Sequence, residues 1–258
     1  MQNINPIYLL QPAIVIVLVF AAVFYSHRKR ELTGKVLLYS FIAYALAIVI
    51  KIVFQQLTIG IVSRTGNLFL LGTYYGLQTM IFEVGLAYVI ARYAISKGLM
   101  MRRNAFGYGI GLAFWENGVL LGIFSLISLI STYVVLSSGG GAASIAYNAI
   151  EKSSPMLFST SQQAVQPILL GVLERVSSIM LHVAWGFLVF AAAYYKKGKY
   201  LLVALLMGLV DFFVPFANII GLMIFEILVF VIALVSLSIV VFADGKLKDK
   251  LKYRRSKV

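Results

Sequence analysis

Long apolar stretches, separated by short polar or basic segments, recur along the whole chain. Seven of them approach or exceed the ~20 residues that an α-helix needs to cross ~30 Å of hydrocarbon. We predict membrane-spanning helices over residues 7–25, 36–55, 68–95, 106–136, 168–195, 200–220 and 222–242. A membrane β-barrel would instead show ~10-residue segments of alternating polarity. The pattern therefore indicates an all-α, polytopic membrane protein with seven transmembrane helices.

The composition agrees with this class, since 61% of the 258 residues are hydrophobic and only 12% are charged. The net charge of +13 comes from basic residues that follow spans one, three, five and seven, whereas the alternate connections contain only Arg64 and Lys152. The positive-inside rule then places the N-terminus outside and the C-terminus in the cytoplasm, with the protein in the cell membrane. Because these charges are topology signals, we expect membrane lipid, and no nucleic acid, as a partner. The absence of cysteine excludes disulfides and thiolate metal ligands.

The segments outside the spans are short except for residues 137–167, which we predict to be a loop with a short surface helix. Its glycine-rich part, SSGGGAAS, is typical of a flexible linker, since no phosphate-binding GxxxxGK[ST] pattern accompanies it. Residues 1–243 would form the transmembrane domain and residues 244–258 a basic cytoplasmic tail. This tail serves as a topology signal or binds anionic lipid or an acidic partner. Lys51, near the end of the second span, is expected to extend towards the membrane surface.

Three GxxxG steps predict close contacts between helices, either inside one bundle or between protomers. The steps are formed by Gly72 with Gly76, Gly107 with Gly111, and Gly118 with Gly122. The pattern leaves the oligomeric state open.

Ionisable side chains inside the spans are the candidate chemistry. Glu174, Ser178 and His182 recur at i, i+4 and i+8, so on a helix they form one polar stripe. A charged side chain near the bilayer centre costs roughly 2.5–3.5 kcal/mol, so such residues usually pair with one another or line a cavity. Arg175 has two acidic candidates for a partner, Glu174 on its own helix and Glu226 on the last span.

Four ionisable residues on four different spans fall near the predicted bilayer centre: Glu83, Glu116, His182 and Asp211. Together they could bind a divalent cation such as Zn²⁺, with His182, Asp211 and Glu116 as ligands. They could also relay protons or activate a water for hydrolysis. The alternative is a hydrogen-bonded polar network that fixes the register of the helices.

Three stretches, and a fourth beyond them, resemble the motifs of one family. They are IFEVG at 81–85, GYGIGLAFWENG at 107–118, GVLERVSSIMLH at 171–182 and LLMGLVDFFVP at 205–215. These are similar to motifs of the YhfC-type membrane proteins, intramembrane metalloproteases distantly related to the type II CAAX-prenyl proteases and to PrsW. The resemblance implies catalytic roles for Glu83, Glu116, Glu174 and Arg175, and a divalent metal as cofactor.

The chain also departs from the family motifs. Phe82 stands where the family pattern has a first glutamate, Leu86 where it has an arginine, and Leu112 and Met207 where it has histidines. Hydrolysis needs ligands that hold the metal, so these losses favour a protein that keeps the fold and acts as a scaffold or partner-binding subunit. If His182 replaces a lost ligand, the alternative is an active endopeptidase acting on a membrane-anchored substrate. A proton- or cation-coupled transporter or channel is a second alternative.

Overall fold

Seven long helices form a single bundle in the computed structural model, which describes residues 3–255 and the side chains of residues 3–247. In chain order the helices are α1 (Pro6–Arg28), α2 (Gly34–Ser63), α3 (Leu68–Ser96), α4 (Arg102–Ser138), the short α5 (Gly140–Ser153), α6 (Ser161–Tyr195), α7 (Gly198–Ile220) and α8 (Leu222–Arg255). All except α5 are long and apolar enough to cross a membrane. The described residues contain no strand, so the all-α, seven-span prediction is confirmed. The orientation of the termini stays a prediction.

Two helices extend beyond the predicted spans, because apolar character alone does not mark where a helix stops. Helix α2 continues to Ser63 instead of ending at residue 55, which moves Lys51 from the helix end into its interior. Helix α8 continues to Arg255, so the backbone of the predicted tail is helical as far as that residue.

The long connection before α6 is also shorter than predicted. Helix α5 supplies the expected surface helix, but α6 begins at Ser161, so Pro167 lies inside it. A capping box starts α6. The Thr160 hydroxyl oxygen accepts from the backbone N–H of Gln163, and the side-chain oxygen of Gln163 accepts from the backbone N–H of Thr160. This T-x-x-Q signal, which precedes the apolar stretch, marks the observed start better than hydropathy does.

Helix α6 is the centre of the bundle. It packs against α1, α3, α4, α7 and α8, and its C-terminal half, from Ala184 to Ala193, is almost completely buried. A helix surrounded by other helices must be apolar on every side, which explains the unbroken run AWGFLVFAAA. The polar residues Ser177 and His182, which precede this run, are buried as well and therefore face protein or an internal cavity.

All three GxxxG steps lie at contacts within the chain. A Cβ atom added at Gly72 or Gly76 would meet Phe212 of α7, one at Gly107 would meet the backbone at Glu31, and one at Gly118 would meet Val19 of α1. A further close crossing, between α4 and α6, joins Gly109 and Gly186, which lie outside these steps. A Cβ on Gly109 would lie 2.6 Å from the carbonyl oxygen of Val183.

Replacing Gly109 by alanine is expected to destabilise the bundle because the added methyl group meets backbone atoms that cannot rotate away. Overpacking of this kind costs roughly 1–3 kcal/mol, which corresponds to a fall in Tm of about 3–10 °C. Thermal unfolding in detergent would measure the change. Gly60→Ala on α2 is the control, because nothing lies within 4 Å of a Cβ at that position. A loss of stability in both variants would mean that the crossing is not the cause.

Candidate metal centre

A cavity of about 500 Å³ inside the bundle collects the ionisable residues of the spans. Helices α2, α3, α4, α6, α7 and α8 all contribute to its wall. Its acidic and basic lining residues are Lys51, Glu83, Glu116, Glu174, Arg175, His182, Asp211 and Glu226. These side chains share an internal cavity, as expected from the prediction that they avoid lipid.

Three of the carboxylates lie on helical segments that are not α-helical. Glu83 lies in a π-helical segment, Thr79–Gly85, and Glu116 in a second one, Phe114–Ile123. Asp211 lies in a 3₁₀ segment, Leu209–Phe216. Such segments change the residues per turn and redirect the side chains, and they are frequent at functional sites. The irregular winding is the local cause that turns these carboxylates towards the cavity.

Glu83, Glu116 and His182 form the closest group. Their nearest ligand atoms all lie within 4.8 Å of one another. The Nε2 atom of His182 is 2.7 Å from Oε2 of Glu116 and 3.9 Å from Oε2 of Glu83. Helices α3, α4 and α6 thus bring one nitrogen and two oxygen donors to a common point.

The orientation of the His182 ring is fixed from behind. Its Nδ1 atom donates to the backbone carbonyl of Ser178 at 2.8 Å, which leaves Nε2 as the lone-pair atom of the neutral ring. Nε2 is buried and lies at ion-pair distance from Glu116. A protonated ring would pair with this carboxylate, whereas a neutral ring offers the Nε2 lone pair to a cation.

Asp211 belongs to a neighbouring group built around Lys51. The Lys51 ammonium lies 2.5 Å from Oε1 of Glu83, 2.9 Å from the Thr79 hydroxyl and 3.4 Å from Oδ2 of Asp211. The Thr79 hydroxyl in turn donates to the same Asp211 oxygen at 2.5 Å. The expectation that Lys51 extends to the membrane surface was wrong, because α2 continues beyond it and both carboxylates compensate its charge.

Of its two predicted partners, Arg175 forms an ion pair with Glu174 on its own helix and none with Glu226. It pairs with Glu174, lies 4.0 Å from Oε1 of Glu116 and donates to Asn117 at 3.5 Å. Glu226, the other candidate partner, forms no ion pair with the residues that the structure describes. It is almost completely buried, and its Oε2 atom has no hydrogen-bond partner there.

Lys51 and Thr79 are the site residues that the sequence did not single out. The sequence did contain a signal that Lys51 lies inside its helix. The apolar residues Ile59–Val62 follow Gln55 and Gln56 and allow the helix to continue past them. No comparable signal exists for Thr79, because threonine is common in spans and its role depends on Asp211 of another helix.

A family model described as YhfC intramembrane metalloprotease matches residues 14–243. The chain belongs to the YhfC intramembrane metalloprotease family. No match emerged among curated proteins or among solved structures. The membership covers nearly all seven spans and agrees with a protease-like membrane protein.

The donor set of this YhfC protein fits the divalent metal that the family description implies. Imidazole nitrogen and carboxylate oxygen are both ligands of Zn²⁺ and similar ions, and a ligating histidine usually donates its second ring nitrogen to a carbonyl or carboxylate, as His182 does. The balance of charge also favours a bound cation, because the ion pairs of the site contain four carboxylates and only two permanently charged cations. The carboxylates belong to Glu83, Glu116, Glu174 and Asp211, and the cations to Lys51 and Arg175. The group of Glu83, Glu116 and His182 could therefore bind a metal ion.

The two positions where the resemblance places histidines do not line the cavity of this YhfC chain. Leu112 and Met207 are buried in the apolar core, and Leu112 lies next to the α4–α6 crossing at Gly186. The imidazole comes instead from His182 on α6. Only the tertiary structure reveals that these losses leave one imidazole among the carboxylates.

Proposed function

We propose that this YhfC protein is a membrane-embedded metallopeptidase whose divalent cation is held by Glu83, Glu116 and His182. The observation that carries the proposal is the convergence of three donor atoms from three helices. One ligand atom of each of Glu83, Glu116 and His182 lies within 4.8 Å of the other two, as ligands of a single ion would.

The residues around the group have roles that suit hydrolysis. When bound, a divalent cation supplies Lewis acidity and activates water. The Ser178 carbonyl holds the His182 ring, and Arg175 brings positive charge near Glu116, where it can stabilise negative charge that develops on a substrate. Glu226, buried in the same cavity, is a carboxylate that can accept a proton from water.

The shape of the cavity supports a membrane-anchored substrate. Leu120, Val214 and Leu222 line the cavity, and each is also more than a third exposed on the outside of the bundle. The cavity thus extends to the apolar surface that lipid would cover. We infer that the substrate is a membrane-anchored peptide that enters sideways between α4, α7 and α8, with the protein in the cell membrane.

A non-catalytic scaffold is the second candidate, and Lys51 favours it. Its ammonium lies within 2.5 Å of Glu83 and supplies positive charge where a metal would otherwise do so. In that case the cluster would be a compensated network, and the protein would act by binding a membrane partner.

Metal titration of the two histidine variants tests the proposal. Purified, metal-free protein should take up about one equivalent of Zn²⁺ through the three-residue group, and His182→Gln should lose at least about 100-fold in affinity because a ligand is removed. His27→Gln is the matched control, since His27 is the other histidine of the chain and lies exposed in the last turn of α1. Equal affinity of both variants would reject the metal centre.

A further inference from the structure

A second cavity lies at the end of the bundle where the basic residues cluster, and it shares no lining residue with the metal centre. We propose that it binds the phosphate group of an anionic membrane lipid. Its volume of about 570 Å³ is within the range of ligand sites, ~300–1,000 Å³. It lies between the end of α1, the start of α4, the end of α6 and the polar part of α8.

The charged lining is cationic in balance. Lys29, Arg102 and Arg103 supply three positive charges, and Glu31 and Asp244 supply two negative ones. Arg102 and Arg103 both line the cavity, and each guanidinium is a planar group of N–H donors that matches phosphate oxygens. The cavity therefore favours an anion with several acceptor oxygens.

The two arginines are held in place by a buried asparagine. Asn104 donates to the Glu31 carbonyl at 2.8 Å and accepts from the Met101 amide at 2.7 Å. These bonds attach the first turn of α4 to the connection between α1 and α2. Because the backbone of Arg102 and Arg103 is fixed before a ligand arrives, less entropy is lost on binding.

The inner wall is apolar and aromatic. Phe187 and Phe190 are buried, and Phe106 packs on Phe187 with ring centroids 4.6 Å apart. The Tyr195 hydroxyl is buried and interacts with the Arg102 guanidinium. A basic mouth above an apolar wall suits a ligand with a phosphate and a hydrocarbon chain, and the Tyr195 hydroxyl can donate to a phosphate oxygen.

The position of the mouth agrees with a lipid. It lies where α1 ends at Arg28 and α4 begins at Arg102, which is the level of the membrane surface for helices of this length. The sequence predicts this side to be cytoplasmic, where anionic lipids are enriched and attract basic residues by ~1 kcal/mol each.

Thermal unfolding of the full chain in detergent with added lipid tests the site. Phosphatidylglycerol should raise the Tm of the wild type by about 5 °C more than phosphatidylcholine does, as for a ligand well above its Kd. The Arg102→Gln/Arg103→Gln variant should lose most of this difference, with a fall in affinity on the order of 10-fold or more. The control, Arg28→Gln/Lys97→Gln, removes the same charge outside the cavity and should keep it.

Three results would overturn the proposal. The first is that both double variants lose the phosphatidylglycerol effect equally. The second is that the wild type shows no preference for phosphatidylglycerol. The third is that inorganic phosphate alone stabilises the wild type equally, which would identify a free-anion site. Native mass spectrometry of the wild type gives an independent readout if the arginine variant does not fold. It should retain phosphatidylglycerol in preference to phosphatidylcholine from an equal mixture, and equal retention would count against the site.

Discussion

Glu116→Gln is expected to abolish peptidase activity, with a loss of at least about 1,000-fold, or ~4 kcal/mol of transition-state stabilisation. Its Oε2 atom lies 2.7 Å from Nε2 of His182, and a neutral amide is a much weaker ligand for a divalent cation. The amide has the same shape as the carboxyl, so the fold should persist. Cleavage of a membrane-anchored reporter peptide in proteoliposomes, together with the metal content of the purified protein, measures both effects.

Glu226→Gln is the matched control for the metal content. Glu226 is another buried carboxylate of the same cavity, but it lies outside the group of Glu83, Glu116 and His182. Its amide variant should therefore bind about one equivalent of metal, as the wild type does. If Glu116→Gln keeps its metal and its activity, the assignment of the ligands is wrong. If the wild type never cleaves any membrane-anchored peptide, the scaffold candidate gains.

Lys51→Met should destabilise the metal-free protein by roughly 3–5 kcal/mol, because it leaves Glu83 and Asp211 without their buried counter-charge. The same change removes a positive charge next to a ligand, so the affinity for a divalent cation should rise by at least about 10-fold. The stability of the variant then depends strongly on metal. Tm values in chelator and in excess Zn²⁺ measure this dependence.

The outcome for Lys51→Met also separates the two candidate functions. A metallopeptidase predicts a larger gap between the two Tm values than in the wild type, because the cation replaces the missing charge. A scaffold in which Lys51 has taken the place of a metal predicts an unstable variant that Zn²⁺ does not rescue. Lys35→Met, an exposed lysine near the start of the same helix, should change neither Tm by more than about 2 °C.

Helix boundaries show where sequence reasoning reached its limit. Hydropathy located every span, but it placed the end of α2 eight residues early and so assigned Lys51 to the membrane surface. Hydropathy averages over a window and does not resolve which residue a helix ends at, whereas capping and tertiary contacts do. The consequence was functional, since Lys51 compensates two of the carboxylates at the site.

The sequence predicted which residues belong to the candidate site better than it predicted how they are arranged. The cost of charge in hydrocarbon was enough to select Glu83, Glu116, His182 and Asp211. It could not separate Asp211, which pairs with Lys51 and Thr79, from the three residues that face one another. Side-chain direction at these positions depends on π and 3₁₀ segments, which have no reliable signature in a single sequence.

The sequence by itself determined that this protein lies in a lipid bilayer, how many spans it has, and which polar residues could not face lipid. These results depend on transfer free energies, which follow from residue type and segment length alone. The family motifs were visible at the same level. Only the tertiary structure decided that the imidazole of α6 meets the carboxylates of α3 and α4, and that a lysine of α2 is a member of the same network. Those contacts depend on how six helices are rotated about their axes, and that rotation follows from packing at glycine crossings and from local changes of helical winding.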